Sequence, residues 1–113
     1  MGADLTDNVA LVTGAGQGIG RAIARALADR GATVAVNDVD RGKAERTASE
    51  ITAAGGRAVP AVADVSCRDA VWAMVEEIVG QFGRLDVLVN CARVEPPRPE
   101  GLSDDVWWDR VLA

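Results

Sequence analysis

The chain has 113 residues, room for one domain, and its 49% hydrophobic share with few aromatics suits an aliphatic core rather than a disordered chain. Twelve basic against seventeen acidic residues give a net charge of −5. With no basic run anywhere, that balance argues against nucleic acid as a partner. Two cysteines, Cys67 and Cys91, and no histidine leave neither a disulfide framework nor a metal site, so both cysteines read as reduced thiols.

Met1 to Asp7 lacks a basic region followed by an apolar one, and no apolar run approaches the roughly 20 residues of a membrane span. The chain therefore reads as cytoplasmic, with no membrane partner. Met1 to Thr6 also matches the short N-myristoylation pattern, which is set aside as too brief to carry weight. Val9 to Val12 is a continuous apolar run, as in a strand buried on both faces. From Gly18 the period becomes helical, with Ile19, Ala22, Ile23, Ala26 and Leu27 expected on the buried face, Arg21, Arg25 and Asp29 pointing away, and Gly31 ending the helix.

Thr33 to Val36 reads as a second buried strand, and Asp40 to about Ala54 as a polar helix closed by Gly55-Gly56. Arg57 to Ala63 is a third strand. Ser66-x-x-Asp69 has the spelling of a capping box and opens a third helix, with Val71, Met74, Val75, Ile78 and Phe82 on its buried stripe and Gly83 at its end. Leu85 to Asn90 is a fourth strand. Beyond it, Pro96, Pro97 and Pro99 predict a stiff extended loop, and Ser103-Asp104-Asp105 caps a last helix with Trp107/Val111 and Trp108/Leu112 as apolar pairs. Alternating strands and helices predict an α/β fold with right-handed parallel crossovers: a doubly wound sheet of order 3-2-1-4, with the first two helices on one face and the third on the other. There is no repeat, linker or second domain.

The strand-to-helix turn Val12-Thr13-Gly14-Ala15-Gly16-Gln17-Gly18-Ile19-Gly20 is not G-x-G-x-x-G. From Gly14 the third glycine would fall at Ile19, and from Gly16 at Arg21, whereas Gly14, Gly18 and Gly20 fit G-x-x-x-G-x-G. A helix start offers unpaired N–H groups and a positive dipole end, and glycines let a pyrophosphate approach them. A glycine-rich turn without a ligand is the plain alternative. A Walker loop is excluded, since the only lysine, Lys43, follows Gly42 but precedes Ala44. Asp38 lies 18 residues past Gly20, near the spacing of the carboxylate that accepts hydrogen bonds from an adenosine ribose. Its plain alternative is a helix cap, a task for which Asp40 is better placed.

Thr13-Gly-x-x-x-Gly-Ile-Gly20, Asp38, Asp64-Val65 and Leu88-Val89-Asn90-x-Ala92, taken in order, resemble the classical short-chain dehydrogenase/reductase family along the whole chain. The resemblance implies a Rossmann-type fold and hydride transfer between a nicotinamide cofactor and an alcohol or ketone, with the full-length protein a homo-oligomer. It places Gly14, Gln17, Gly18, Ile19 and Gly20 at the pyrophosphate, Asp64 at the adenine amino group with Val65 beside it, and Asn90 and Ala92 near the cofactor's ribose. Asn90 would also tie the fourth strand to its neighbours. The family's NADP-preferring members usually carry a basic residue just before the second motif glycine or just after the acidic position. Gln17 and Val39 stand there, so NAD is the expected cofactor. Two positions depart from the pattern: Cys91 replaces an asparagine, and Arg93 stands where glycine is usual, either strained at a positive φ or a solvated loop charge.

The family's acid/base tyrosine, its lysine and its serine have no counterparts here: the chain has no tyrosine, and Lys43 lies on an early helix. No residue is therefore expected to be catalytic. Residues 1–113 read as the cofactor-binding half of a Rossmann domain, ending just short of the catalytic segment. The alternative is a module that binds a dinucleotide or pairs with another subunit without catalysis. An in-frame Asn, Ser and Tyr-x-x-x-Lys after codon 113 would favour the enzyme, and a stop codon the module.

Overall fold

The computed structural model describes residues 4–92. The first three residues, Arg93, the proline loop and the last helix expected from the sequence lie outside them. Seven elements follow in order: β1 (Val9–Thr13), α1 (Gly18–Asp29), β2 (Thr33–Asp38), α2 (Arg41–Ala53), β3 (Arg57–Val62), α3 (Arg68–Phe82) and β4 (Val87–Asn90). The strands form one parallel sheet in the order β3-β2-β1-β4, as the alternation of elements predicts.

Side-chain alternation along the strands sorts the core into two layers. Val12, Val34 and Val36 face Ala24 and Ala28 of α1 and Ala48 and Ile51 of α2. Val9, Leu11 and Ala35 face Met74 and Ile78 of α3. The first two helices thus cover one face of the sheet and the third covers the other, as right-handed crossovers require. β1 lies between β2 and β4, where the chain reverses its direction of travel across the sheet, so a crevice opens past the carboxyl ends of these strands.

Two local expectations are corrected. The buried line of α1 is Gly20, Ala24 and Ala28, with Ile23 and Leu27 packing at its flank. Ala22 and Ala26 are exposed, and Ile19 is 77% exposed. The smallest side chains at i, i+4 and i+8 let the helix approach the sheet closely, which a line of isoleucines would not allow. The second correction concerns α3, which begins at Arg68 with Cys67 as an N-cap that makes no side-chain cap bond. Ser66 turns back instead, and its N–H (2.9 Å) and Oγ (2.6 Å) both donate to Asp64 Oδ1. The local turn around an aspartate thus wins over the capping box. Of the stripe expected on α3, Met74 and Ile78 are buried and Val75 and Phe82 pack beside them, while Val71 is only half-buried.

α2 starts as expected, Asp40 accepting from the Lys43 N–H at 3.1 Å. β4 is an edge strand with no fully buried residue. Its Val89 packs against the α1/α2 layer, whereas Leu88 on the opposite face is 64% exposed. Among the described residues no helix is long and apolar enough to cross a membrane.

Candidate functional site

At the carboxyl end of the sheet lies a cavity of about 650 Å³. One wall is the glycine loop and the start of α1, with Gly14, Gln17, Gly18, Ile19 and Gly20. The facing wall comes from the end of β2, with Asp38 and Val39, and from Asp64 and Val65 after β3. Cys91 and Ala92 close the end beside β1. Of the ten residues singled out from the sequence, only Asn90 is off this wall. It stands at the end of β4, where its Oδ1 accepts from Thr13 Oγ1 at 2.8 Å.

The glycine loop is built to expose a helix start. Gly18 has φ +61°, which favours glycine, and a Cβ there would meet only open space. A Cβ on Gly20 would run into the Gly14 carbonyl oxygen, so the loop folds tightly only with glycine at that position. Gln17, the N-cap, makes no side-chain cap bond, and the first turn of α1 carries no acidic residue. The N–H groups of Gly18, Ile19 and Gly20 therefore begin the helix without intrahelical acceptors, together with the positive end of its dipole. A phosphate group fits this donor set, and the uncapped turn is what such a ligand needs.

The three amides before that turn are already taken by the end of β2. Gly14 N–H donates to Asn37 Oδ1 (3.4 Å), Ala15 N–H to Asn37 O (2.7 Å), and Gly16 N–H to Asp38 Oδ2 (3.1 Å). Asp38 Oδ1 also accepts from Asp40 N–H at 2.9 Å. Asp38 is thus not left free, as its sequence position suggests. It anchors the loop and still has acceptor capacity on its carboxylate, which offers about four lone-pair sites. Asp64 is similar: with Ser66 on Oδ1, the hydroxyl and backbone hydrogen bonds hold its carboxyl below the usual carboxylate range, so it stays an acceptor in mild acid.

Two residues have roles that the sequence reading did not assign. Thr13 Oγ1 donates to Asn90 and accepts from Cys91 N–H (3.0 Å) and Ala92 N–H (3.2 Å), which uses its full capacity and pins the end of β4 to β1. Asn37, 1% exposed, donates from Nδ2 to Ala61 O (2.8 Å) and Ala63 O (3.1 Å) and lies 3.4 Å from Met74 Sδ. Its signal was an amide ending an apolar run directly before Asp38. The expected strand stopped one residue short of it.

Comparison with known proteins places this geometry. The family model for short chain dehydrogenases matches residues 8–113. A (2S)-[(R)-hydroxy(phenyl)methyl]succinyl-CoA dehydrogenase subunit of Thauera aromatica is 42% identical over 96% of this chain and 44% of that protein. A cis-4-hydroxycyclohexanecarboxylate dehydrogenase of Sinomonas cyclohexanicum is 43% identical over 99% of this chain and 45% of that protein. In the crystal structure of a short chain dehydrogenase from Mycobacterium avium, the matching fold has a TM-score of 0.79 at 38% identity, covering 95% of this chain and 42% of that one. The chain thus spans less than half the length of these relatives. With its parallel 3-2-1-4 sheet and its glycine loop at the strand ends, it belongs to the short-chain dehydrogenase family.

Proposed function

We propose that residues 1–113 are the dinucleotide-binding half of an NAD-dependent oxidoreductase that moves a hydride between nicotinamide and an alcohol or ketone. The observation that carries this reading is the uncapped first turn of α1 and the Asp38 carboxylate lining one cavity, an anion site beside a hydrogen-bond acceptor. Gly14, Gln17, Gly18, Ile19 and Gly20 hold the pyrophosphate, with the N–H groups of the α1 turn as donors. Asp38 accepts from the adenosine ribose and repels a 2′-phosphate, which favours NAD over NADP. Asp64 accepts from the adenine amino group beside Val65, and Asn90 and Ala92 set the cofactor's ribose through the Thr13 tie. The dinucleotide, when bound, supplies the hydride acceptor or donor. The residues of this chain bind and orient it, and none is assigned a proton transfer.

The relatives named as dehydrogenases of a hydroxyacyl thioester and a hydroxy acid support a small hydroxy or oxo compound as the partner of the whole protein. That protein is read as a cytoplasmic homo-oligomer.

Titration by nicotinamide fluorescence tests the reading. NADH is expected to bind more tightly than NADPH by about 1–3 kcal/mol, the size of a charge or hydrogen-bond mismatch. Equal affinities would remove the role given to Asp38, and no binding of either would remove the reading itself.

A further inference from the structure

Two segments that wall the cavity come from different crossovers: the glycine loop after β1, and Ala63–Asp64–Val65 after β3. Asn37 on β2 is bonded to both. Its Oδ1 takes the Gly14 N–H and its main-chain oxygen takes the Ala15 N–H, while both protons of Nδ2 go to Ala61 O and Ala63 O. A buried amide with donors and acceptor all committed resists rotation, because any turn of the group leaves a buried polar atom unmet. The residue is 1% exposed and packs against Met74 of α3.

We infer that Asn37 is a positioning residue for the dinucleotide, a single buried amide that fixes the distance between the phosphate-binding loop and the adenine-side wall. The inference rests on the dinucleotide reading above. A ligand that spans both walls gains from their being held in register before it arrives, since it then loses less ordering free energy on binding. Leucine, similar in shape, would fill the space while removing the acceptor of the Gly14 N–H and the side-chain donor to Ala61 O and Ala63 O. Aspartate would keep the acceptor for Gly14 and oppose two carbonyl oxygens until its carboxyl is protonated, when one donor returns.

The test measures NADH affinity at a temperature where circular dichroism shows every variant folded, with Ile51→Val as a control for general loss of stability. Asn37→Leu is expected to weaken NADH about tenfold or more, as for the loss of a preorganising hydrogen-bond network. The control keeps wild-type affinity. Asn37→Asp is expected to bind weakly at pH 7.5 and to recover as the pH falls toward 5, while the wild type changes little across that window. That recovery separates positioning from mere support of the fold. Wild-type affinity in folded Asn37→Leu, or an Asn37→Asp profile parallel to wild type, overturns the inference. If neither variant folds, amide hydrogen exchange in the wild type decides: the inference expects a protected Gly14 N–H, and exchange at the rate of an open loop overturns it. Absence of NADH binding in the wild type would count instead against the dinucleotide reading, and the Gly14 exchange rate would still report on the tether.

Discussion

β1 is held at each end by a carboxylate from a neighbouring strand or its approach, and the two sites differ in what surrounds them. Before the strand, Asp86 Oδ2 accepts from Val9 N–H at 2.8 Å, and Arg84 closes on the same carboxylate through both Nε and Nη2. Past the strand, Asp38 Oδ2 accepts from Gly16 N–H at 3.1 Å, but its carboxylate stands on the wall of a cavity facing the start of a helix. One chemical device, a carboxylate on a backbone amide, therefore serves structure where an arginine closes on it and is available to a ligand where it lines a cavity. The amino ends of the strands are expected to carry stability and the carboxyl ends recognition. Substitutions at the two ends should separate these properties.

The largest separation is expected from Gly18→Asp. A side chain at this open position would set a negative charge at the start of α1, where the dipole favours an anion from outside. NADH affinity should fall by about 100-fold or more, near 2.8 kcal/mol at 1.4 kcal/mol per decade. The melting temperature should change little, because an acidic residue suits a helix N-terminus even as its positive φ costs something. A Gly18→Asp protein with near wild-type NADH affinity would break the division between the two ends.

Asp38 sharpens the comparison further because it belongs to both categories. Asp38→Asn removes the charge and keeps an amide oxygen for Gly16 N–H but turns its NH2 on Asp40 N–H, so the preference for NADH over NADPH should shrink by about tenfold with a modest loss of stability. Asp38→Ala removes the loop anchor as well, and should weaken both dinucleotides and lower the melting temperature. Equal behaviour of the two variants would mean that the Gly16 bond contributes nothing.

Much of this was legible in the sequence because turns and phosphate loops have rigid local requirements. Gly14, Gly18 and Gly20 are spaced by the backbone, Asp38 by the length of one crossover, and Asp64 by the end of β3, so their convergence on one cavity follows from strand order. Less legible were features that depend on which of two partners a group chooses. Ser66 chose Asp64 over the helix start, and Asn37 chose one carbonyl of β3 and one just past it that no local pattern brings near it. The face of α1 was misjudged for a related reason: periodicity weighs large apolar residues, whereas close packing selected Gly20, Ala24 and Ala28. Ile19 and Val39, counted as hydrophobic by composition, are 77% and 69% exposed along the cavity.

At the amino end, Asp86→Asn should lower thermal stability at neutral pH and leave NADH affinity unchanged. The Arg84 hydrogen bonds, with the Val9 amide behind them, hold the Asp86 carboxyl below its usual range in the folded protein. A carboxyl depressed on folding stabilises the protein above its unfolded pKa, and that contribution is lost as the pH falls through the folded value. Wild type and Asp86→Asn should therefore differ in melting temperature at pH 7 and converge below about pH 4, the ordinary carboxylate range. A gap that persists unchanged into acid would assign the effect to shape rather than charge.

The smallest effect is expected at Ser66, where the carboxyl-end rule meets its finest test. Removing Oγ in Ser66→Ala leaves the Ser66 N–H on Asp64 Oδ1 but takes away the hydroxyl bond, the larger of the two influences that depress this carboxyl. The Asp64 carboxyl should then titrate closer to its ordinary value, so it becomes protonated at a higher pH. If its carboxylate accepts from the adenine amino group, NADH binding in the variant should begin to weaken at a higher pH on acidification than in wild type, with no difference between the two at pH 7. The helix start should be little disturbed, since the hydroxyl caps Asp64 and not α3. Coincident acid limbs for the two proteins would detach Asp64 from the adenine. A loss of affinity at pH 7 as well would show that the Ser66 hydroxyl shapes the wall of the cavity itself, making this turn a structural part of the recognition end rather than a modulator of one charge.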